Sequence, residues 1–455
     1  MIKLLTLHIE RFRSLYAVTL HFRRFSVLVG PNGAGKSNTF QALSFLSDTF
    51  SFNVEHAVAR GGGIEALFFR RARRSRAPLR FALTAELHPD ELSRRERAGL
   101  LPNQRRFWSG AWQEELPGAA SLLVKYSFAI AASSEAIAAD FTVVHEELDI
   151  SAVYKDGRIT PVTSYTRAED HTLVVKDFLA PQPEVARDVD AKAGDDDESR
   201  SLWQVFGPRL PRHYASRPFP PTRLWSEILG TWVYPLQELT RTVGAIRAYS
   251  ISPQTARQEG SATPNAELQI DGGNLPAVIN YLQTKAKTEW KTILSAMQAV
   301  LPGLSEIRVG YSTSRRLWLE FVEAGLGRPW TPLEISDGTL KTLAALVALH
   351  DSRSPIVLIE EPENSIHPWM IREFVSACRH SGKQILLTTH SPVVLEQLEA
   401  DEVDVVWRRD GVTKIESLAS LDPEAARLIT QGTSDVARLL DTGWVREAVP
   451  GTDPE

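Results

Sequence analysis

Four short stretches of the sequence carry residue types that can act on a nucleotide. The first is Gly30-Pro31-Asn32-Gly33-Ala34-Gly35-Lys36-Ser37, followed by Asn38. Glycines at this spacing let backbone N–H groups turn around phosphate oxygens, and the N-terminus of a following helix adds positive potential. Lys36 is the side chain to reach the β- and γ-phosphates of a nucleoside triphosphate, and Ser37 the hydroxyl to ligate Mg²⁺. The second stretch is an apolar run over 355–359 that ends in Glu360 and Glu361. Carboxylates at the C-terminal end of a buried strand sit where ligands of a parallel sheet bind. Glu360 is read as a Mg²⁺ ligand, and Glu361 as the base that orients and deprotonates water. The third is His390, within Thr388-Thr389-His390-Ser391-Pro392, at the end of the next expected strand. Parallel neighbours would bring it to the same edge as the carboxylates. The fourth is Ile335-Ser336-Asp337-Gly338-Thr339-Leu340-Lys341, where the Ser336 hydroxyl, the Gly338 amide and a helix N-terminus can bind phosphate together. Each of the last three also has a plain structural reading: a surface acidic pair, a structural histidine, an ordinary turn.

The elements that must position these groups follow from periodicity. Residues 24–30 form an apolar run suited to a central strand, and Phe40, Leu43 and Leu46 follow at helical spacing. Alternation over 79–87 places Leu79, Phe81, Leu83, Ala85 and Leu87 on one face, and 317–323 repeats the pattern with Leu317, Leu319 and Phe321. One antiparallel sheet is expected to use both. A single helix is expected from Asn274, as N-cap, to the stop at Pro302-Gly303, with Pro276 in its first turn. Helices over 339–350 and 368–380 then alternate with strands over 355–359 and 384–389, before a hairpin at Asp410-Gly411. That alternation implies a mostly parallel sheet. Between 90 and 250 the sequence reads as irregular, with Pro208, Pro211, Pro218, Pro220 and Pro221 and an acid-rich loop over 188–198. Repeats and sustained heptads are absent from the sequence.

Composition narrows the classes. The 455 residues carry 51 Lys and Arg against 56 Asp and Glu, a net charge of −5 that argues neither for nor against nucleic acid. One cysteine, Cys378, excludes an internal disulfide framework and a multi-cysteine zinc site; it is expected to be a buried thiol in a reducing, cytoplasmic setting. The N-terminus lacks a signal-peptide pattern, and no apolar stretch is long enough to span a membrane; the best candidate, 121–141, is broken by Lys125 and Glu135. Six arginines in eleven positions, Arg70, Arg71, Arg73, Arg74, Arg76 and Arg80, read either as an exposed rim or as a contact surface for nucleic acid or an acidic protein. Arg94-Arg95 and Arg105-Arg106, beside Phe107 and Trp108, extend that cluster. Arg60, beside three glycines, is a further candidate to sense nucleotide. His367-Pro368 has no second histidine at ligand spacing.

The order of phosphate loop, Ser-Asp-Gly-Thr turn, Glu-Glu strand and terminal histidine resembles the ABC-type ATPase heads of the RecF, SMC and OLD class, often grouped as AAA-family ATPases. Glu361-Pro362-Glu363 with Ile366-His367-Pro368 looks like the D-loop of that class, and Phe12-Arg13-Ser14-Leu15 like its first hairpin. Asp271-Gly272-Gly273-Asn274-Leu275 and Arg60-Gly61-Gly62-Gly63-Ile64-Glu65 resemble segments of small stand-alone members.

The resemblance implies an α/β fold in which a mostly parallel sheet and an N-terminal antiparallel β lobe form one head split by an insertion. Its parts would be 1–89 with the phosphate loop, 90–250 as insertion or docking region, 251–415 with the remaining motifs, and 416–455 as a tail. It further implies ATP and Mg²⁺ as cofactors and a homodimer that sandwiches ATP. In that dimer Ser336 and Gly338 of one protomer would complete the site built by Lys36, Glu360, Glu361 and His390 of the other. ATP-driven closure would then control an effector, in phage defence or DNA maintenance. Only 65 residues follow His390, fewer than the nuclease domain of OLD-type proteins, so a separate chain is expected to supply any nuclease. Two departures stand out. Glu360 replaces the aspartate commonest in the class, a change that would alter Mg²⁺ geometry or slow turnover, and the Q-loop glutamine is unassigned, with Gln104 and Gln113 as candidates. A scaffold with little turnover and, remotely, a transporter ATPase subunit are the alternatives.

Overall fold

The computed structural model describes residues 2–69, 77–88, 116–133, 140–177, 218–229, 233–312, 316–364 and 368–445. The chain opens with a hairpin of β1 (Lys3–Phe12) and β2 (Leu15–His21), then β3 (Phe25–Val29), which runs into the phosphate-loop segment and helix α1 (Lys36–Ser51). Two compact units result, one of Met1–His21 with Phe45–Gly244 and the other of Phe22–Ser44 with Ala245–Glu455.

The first unit is antiparallel. Beyond α2 (Val54–Arg60), the chain forms β4 (Leu79–Leu87), β5 (Ala119–Ala132), β6 (Phe141–Tyr154), β7 (Ile159–Arg167) and β8 (Leu173–Asp177), in the order β8-β7-β6-β5-β4-β1-β2. On β4 the expected face is buried at Leu79, Phe81, Leu83, Ala85 and Leu87. Aromatic rings continue that face, with Phe12, Phe45, Phe81, Phe128, Tyr126 and Trp225 in successive contacts of 5.5–6.2 Å between centroids. The irregular structure expected between 90 and 250 is therefore not what the described residues of 119–132 and 141–177 adopt. The strand signal there is broken by a bulge in the β5–β6 ladder: Phe141 and Val143 face the core, but Glu146, Leu148, Ile150 and Ala152 do so beyond it.

The second unit is mostly parallel. It adds β9 (Arg247–Tyr249), α3 (Leu275–Lys285), α4 (Lys287–Val300), β10 (Leu304–Tyr311), β11 (Leu317–Glu323), α5 (Asp337–His350), β12 (Ile356–Glu360), α6 (Pro368–His380), β13 (Gln384–Thr389), β14 (Val403–Arg409) and β15 (Val412–Ser417). Its strands follow the order β15-β14-β3-β13-β12-β9, with β14, β3, β13, β12 and β9 parallel and β15 antiparallel to β14. β3 is buried at all positions, so it reads as a nearly continuous apolar run, and α5 is buried from Gly338 to Leu349. Asp410 and Gly411 take φ of 52° and 78° in the β14–β15 turn, the left-handed pair that a two-residue hairpin requires. The fold is the α/β arrangement of a mostly parallel sheet and an antiparallel β lobe.

Three expectations change. β4 and β11 lie in different sheets: among the strands of the described residues β11 pairs with β10, and β4 with β1 and β5. The helix expected from 274 to 301 is two helices, parted at Ala286 by a non-helical φ of −128° and ψ of 57°. Asn274 occupies the N-cap position without capping: its side chain accepts from the Gln269 N–H at 2.8 Å and donates to the Glu267 carbonyl at 2.6 Å, tying down the preceding loop. Residues 418–441 contain three short helices whose Leu418, Ala425, Val436 and Leu439 join the core of the second unit.

Among the described residues no helix is long and apolar enough to cross a membrane. Arg70, Arg71, Arg73, Arg74, Arg76, Arg94, Arg95, Gln104, Arg105, Arg106, Gln113, Ile366, His367 and the acidic stretch over 188–198 lie outside the described residues.

Candidate functional site

The four nucleotide-directed stretches of the sequence all fall in the parallel unit. β3 ends at Val29 and Gly30 opens the phosphate loop, which returns on itself through an Ala34 N–H to Pro31 carbonyl bond of 3.2 Å before α1 begins. Gly33 and Gly35 hold φ of 78° and 117°, where a side chain would be strained. Packing demands glycine as well. A Cβ on Gly30 would meet the Val406 carbonyl at 1.8 Å, and one on Gly35 would meet Thr413 Oγ1 at 2.2 Å. The β14–β15 hairpin thus braces the loop, and Thr413 fastens it by donating to the Ala34 carbonyl at 2.8 Å. Asn32, Gly33 and Ser37 are exposed, Asn38 is half-buried and Ala34 is buried.

Lys36 is buried at the start of α1 and donates to the carbonyls of Gly30 at 2.7 Å and Pro31 at 3.0 Å. Burial pulls its pKa down to about 8, against the opposing pull of the Glu361 carboxylate. Parallel pairing of β12 with β13 and of β13 with β3 sets Glu360 opposite Thr388 and Thr389 opposite Val29. The ends of the three strands, and the residues after them, therefore share one edge.

Glu361 leaves β12 with φ of 41°, a left-handed conformation rare for a side-chain-bearing residue and concentrated at functional positions. Its Oε2 accepts from Asn364 at 2.7 Å, and its Oε1 lies 3.7 Å from His390 Nε2. Burial and the Lys36 charge lower the His390 pKa, while Glu361 and Glu363 raise it; the net lowering keeps the imidazole neutral near pH 7. Lys36, Glu361 and His390 therefore act on one another electrostatically. Neither the Ser37 hydroxyl nor the Glu360 carboxylate is engaged by a hydrogen bond or ion pair among the described residues.

The Ser-Asp-Gly-Thr turn opens α5. Exposed Ser336 is its N-cap, accepting from the Thr339 N–H at 3.1 Å and lying 2.8 Å from the Thr339 hydroxyl. Gly338 is buried in the first turn, with its carbonyl accepting from Thr342 Oγ1 at 2.7 Å. Arg257 secures the approach, bonding the carbonyls of Pro332 at 2.9 Å and Ile335 at 3.0 Å and pairing with Asp337.

Five residues of this arrangement carry no assigned role in the sequence reading: Arg257, Lys341, Glu363, Asn364 and Thr413. Glu363 Oε1 accepts from the Thr389 hydroxyl at 2.6 Å and from the N–H groups of His390 at 3.0 Å and Ser391 at 3.2 Å, so it fixes the backbone that carries the histidine. Its place in the D-loop-like Glu-Pro-Glu pattern was the one available signal. Arg60 lies in the antiparallel unit and pairs with Asp48 at 2.7 Å. Cys378 is fully buried on α6, where desolvation pushes its thiol far up, as expected of an inert core cysteine.

A family model described as "AAA domain, putative AbiEii toxin, Type IV TA system" matches residues 25–112 and 254–396, just over half of the chain. Among solved structures, an SMC head bound to the C-terminal winged-helix domain of ScpA matches at 14% identity and TM-score 0.46, covering 91% of this chain and 97% of that one. A Thermotoga maritima SMC head domain matches at 12% identity and TM-score 0.38, covering 91% and 98%. The Pyrococcus furiosus SMC head, with an extended coiled coil and bound to the C-terminal domain of ScpA, matches at 15% identity and TM-score 0.44, covering 95% and 100%. A search of curated proteins finds no match.

Proposed function

The chain belongs to the AAA-domain family, and on that premise we propose that it binds ATP with Mg²⁺ and hydrolyses it to ADP and phosphate. The observation that carries the reading is the meeting of a phosphate-loop lysine, a strand-end carboxylate and a histidine at one edge of a parallel sheet, with Glu361 and His390 only 3.7 Å apart.

Bound Mg²⁺ would offset charge on the β- and γ-phosphates. Ser37 and Glu360 would hold it, since both present hard oxygen donors left open among the described residues. Lys36 exchanges the Gly30 and Pro31 carbonyls for phosphate oxygens, which restores full charge to its ammonium. Asn364 orients the Glu361 carboxylate, which takes a proton from water as the water oxygen bonds the γ-phosphorus. The bond from phosphorus to the bridging oxygen breaks, and ADP carries away that electron pair. Neutral His390 donates to a γ-phosphate oxygen from a backbone held by Glu363.

In the same reading a second copy of the chain supplies Ser336 and Gly338. The capped Ser336 hydroxyl is exposed and held in one place by Thr339, a preorganised phosphate donor. ATP binding and dimer closure then form one equilibrium that hydrolysis resets. The output is control of a separate effector, a nuclease being the first candidate, in phage defence or DNA maintenance; the toxin–antitoxin setting named in the family description favours defence. The arginine-rich stretch over 70–80 is the proposed contact for nucleic acid, and the lone, buried cysteine supports a cytoplasmic setting.

Steady-state turnover and sedimentation with ATP test the reading on the full chain. Lys36→Ala is expected to lose nucleotide binding and turnover together. Glu361→Gln is expected to keep binding, accumulate the closed dimer, and hydrolyse about 10²-fold more slowly or worse. Wild-type turnover in Lys36→Ala would remove hydrolysis from this site, and ATP-driven assembly without turnover would leave a nucleotide-held scaffold.

A further inference from the structure

One buried cation near this site has no part in the chemistry above. Lys341 lies in the second turn of α5, the helix that Ser336 caps, and is only 5% exposed. Its neighbours along the helix, Leu340, Leu343 and Ala344, are fully buried apolar residues, so an apolar side chain would pack there without the cost of desolvating an ammonium. What Lys341 gains instead is a hydrogen bond of 2.9 Å to the main-chain carbonyl of Glu361.

That carbonyl belongs to the residue with the left-handed φ of 41°. The Glu361 N–H donates to the Thr388 carbonyl at 3.1 Å, so Thr388 holds the residue at its nitrogen and Lys341 at its carbonyl. Holding both ends fixes the direction in which the Glu361 side chain leaves the backbone. Glu363 gives a second, independent observation. Its Oε1 is saturated by donors from Thr389, His390 and Ser391, but its Oε2 is buried with no hydrogen-bond partner among the described residues. A carboxylate oxygen left in that condition is costly unless a nearby cation compensates it. Both Glu363 and Glu361 act electrostatically on the Lys341 ammonium, so that cation is supplied from α5.

We propose that Lys341 is a positioning residue that couples each protomer's Ser336 turn to its own hydrolytic centre, through the Glu361 carbonyl on one side and Glu363 with the His390 backbone on the other. The inference rests on the proposed hydrolysis and names how that site is regulated. When Ser336 engages the nucleotide of a second copy, α5 is loaded at its N-terminus, and Lys341 carries the load to the base of its own site. Filling one site then sets the turnover of the other.

Lys341→Met, which keeps the apolar stem and removes the charge, tests this with Lys341→Arg and Ser336→Ala. Lys341→Met is expected to lower kcat about tenfold or more with KM and nucleotide affinity within about twofold, and Lys341→Arg to recover a large part of the loss. Ser336→Ala and Lys341→Met together are expected to cost much less than the product of the two single losses, because they break one line of coupling. A purely structural lysine would lower the melting temperature and show no dependence on Ser336. If Lys341→Met does not fold, Lys341→Gln takes its place with the same readings. Wild-type kcat in the lysine variant, or strict multiplication of the two losses, overturns the coupling while Lys36-dependent turnover still stands; loss of that dependence in the wild type overturns the hydrolytic reading itself.

Discussion

Glu146 in the antiparallel unit and Glu361 in the parallel unit are both carboxylates on or beside a strand, yet their surroundings differ completely. Glu146 is fully buried in mid-sheet and takes four donors: the Tyr126 hydroxyl at 2.8 Å, the N–H groups of Trp225 at 2.7 Å and Ser226 at 3.0 Å, and Arg167 at 3.1 Å. Glu361 stands past a strand end with its side chain 40% exposed, one hydrogen bond from Asn364 and a histidine at 3.7 Å. A carboxylate saturated by fixed donors has no lone pair to offer a reactant, whereas one held at its edges can change partners. Charge in the first unit serves to specify structure. Charge in the second remains open for chemistry.

The comparison breaks most visibly if Glu146 can be removed without penalty. Burial pushes its carboxyl up, and Arg167 together with the hydroxyl and backbone donors pulls it back. Glu146→Ala strands the fully buried Arg167 guanidinium and is expected to cost about 3–5 kcal/mol in denaturant unfolding. The joint replacement Glu146→Leu with Arg167→Met is expected to recover part of that loss, since no lone charge is left behind while the Tyr126 hydroxyl and two N–H groups still lose their acceptor. Glu361→Gln, in contrast, should leave the unfolding midpoint near that of the wild type. A Glu146→Ala protein with unchanged stability would make the buried network decorative and erase the distinction.

Glu363 sharpens the contrast because it combines both habits, binding three donors through one oxygen while facing the reactive edge. Glu363→Ala removes the acceptor for the backbone of His390 and Ser391, and is expected to reduce kcat about tenfold with a stability loss of about 1–2 kcal/mol. Glu363→Gln keeps an acceptor oxygen and should retain more of both. Equal kcat in the alanine variant and the wild type would show that the histidine backbone needs no clamp.

What was legible in the sequence follows the same division. The second unit is made of strand-loop-helix steps whose chemistry falls in loops, so the glycine loop, Glu360-Glu361, His390 and the turn at Ser336 stand out as short local patterns, and the parallel order of β12, β13 and β3 brings three of them to one edge. Long-range groups were less visible. Thr413 and Arg257 meet the site from positions far along the chain, and nothing near them in sequence says so. In the first unit β6 was hidden by a bulge that reverses its alternation and by Glu146, a charged residue on the core face. The Asp156-Gly157 turn between β6 and β7, with Gly157 at φ of 84°, is a local hairpin signal inside the segment expected to be irregular.

The smallest effect concerns Glu227, which lies beside the Glu146 network and departs from its pattern of full compensation. Its Oε1 accepts from the N–H groups of Val54 at 3.3 Å and Leu224 at 3.4 Å, yet burial and the nearby Glu146 charge outweigh these bonds and raise its pKa to about 7. The folded state therefore holds this proton more tightly than the unfolded chain, whose carboxyl titrates near 4.5. Between those two values the folded state binds more protons, so the stabilisation from Glu227 is complete below about 4.5 and is lost as pH rises through about 7. Glu227→Gln keeps the acceptor oxygen and cannot ionise. At pH 8 it should be more stable than the wild type by about 1 kcal/mol, a figure discounted for partial solvent access, and at pH 4 the two should match. A difference of the same size at both pH values would mean that packing, rather than ionisation, separates the two proteins, and the buried carboxylates of the antiparallel unit would then have to be read as uniformly compensated.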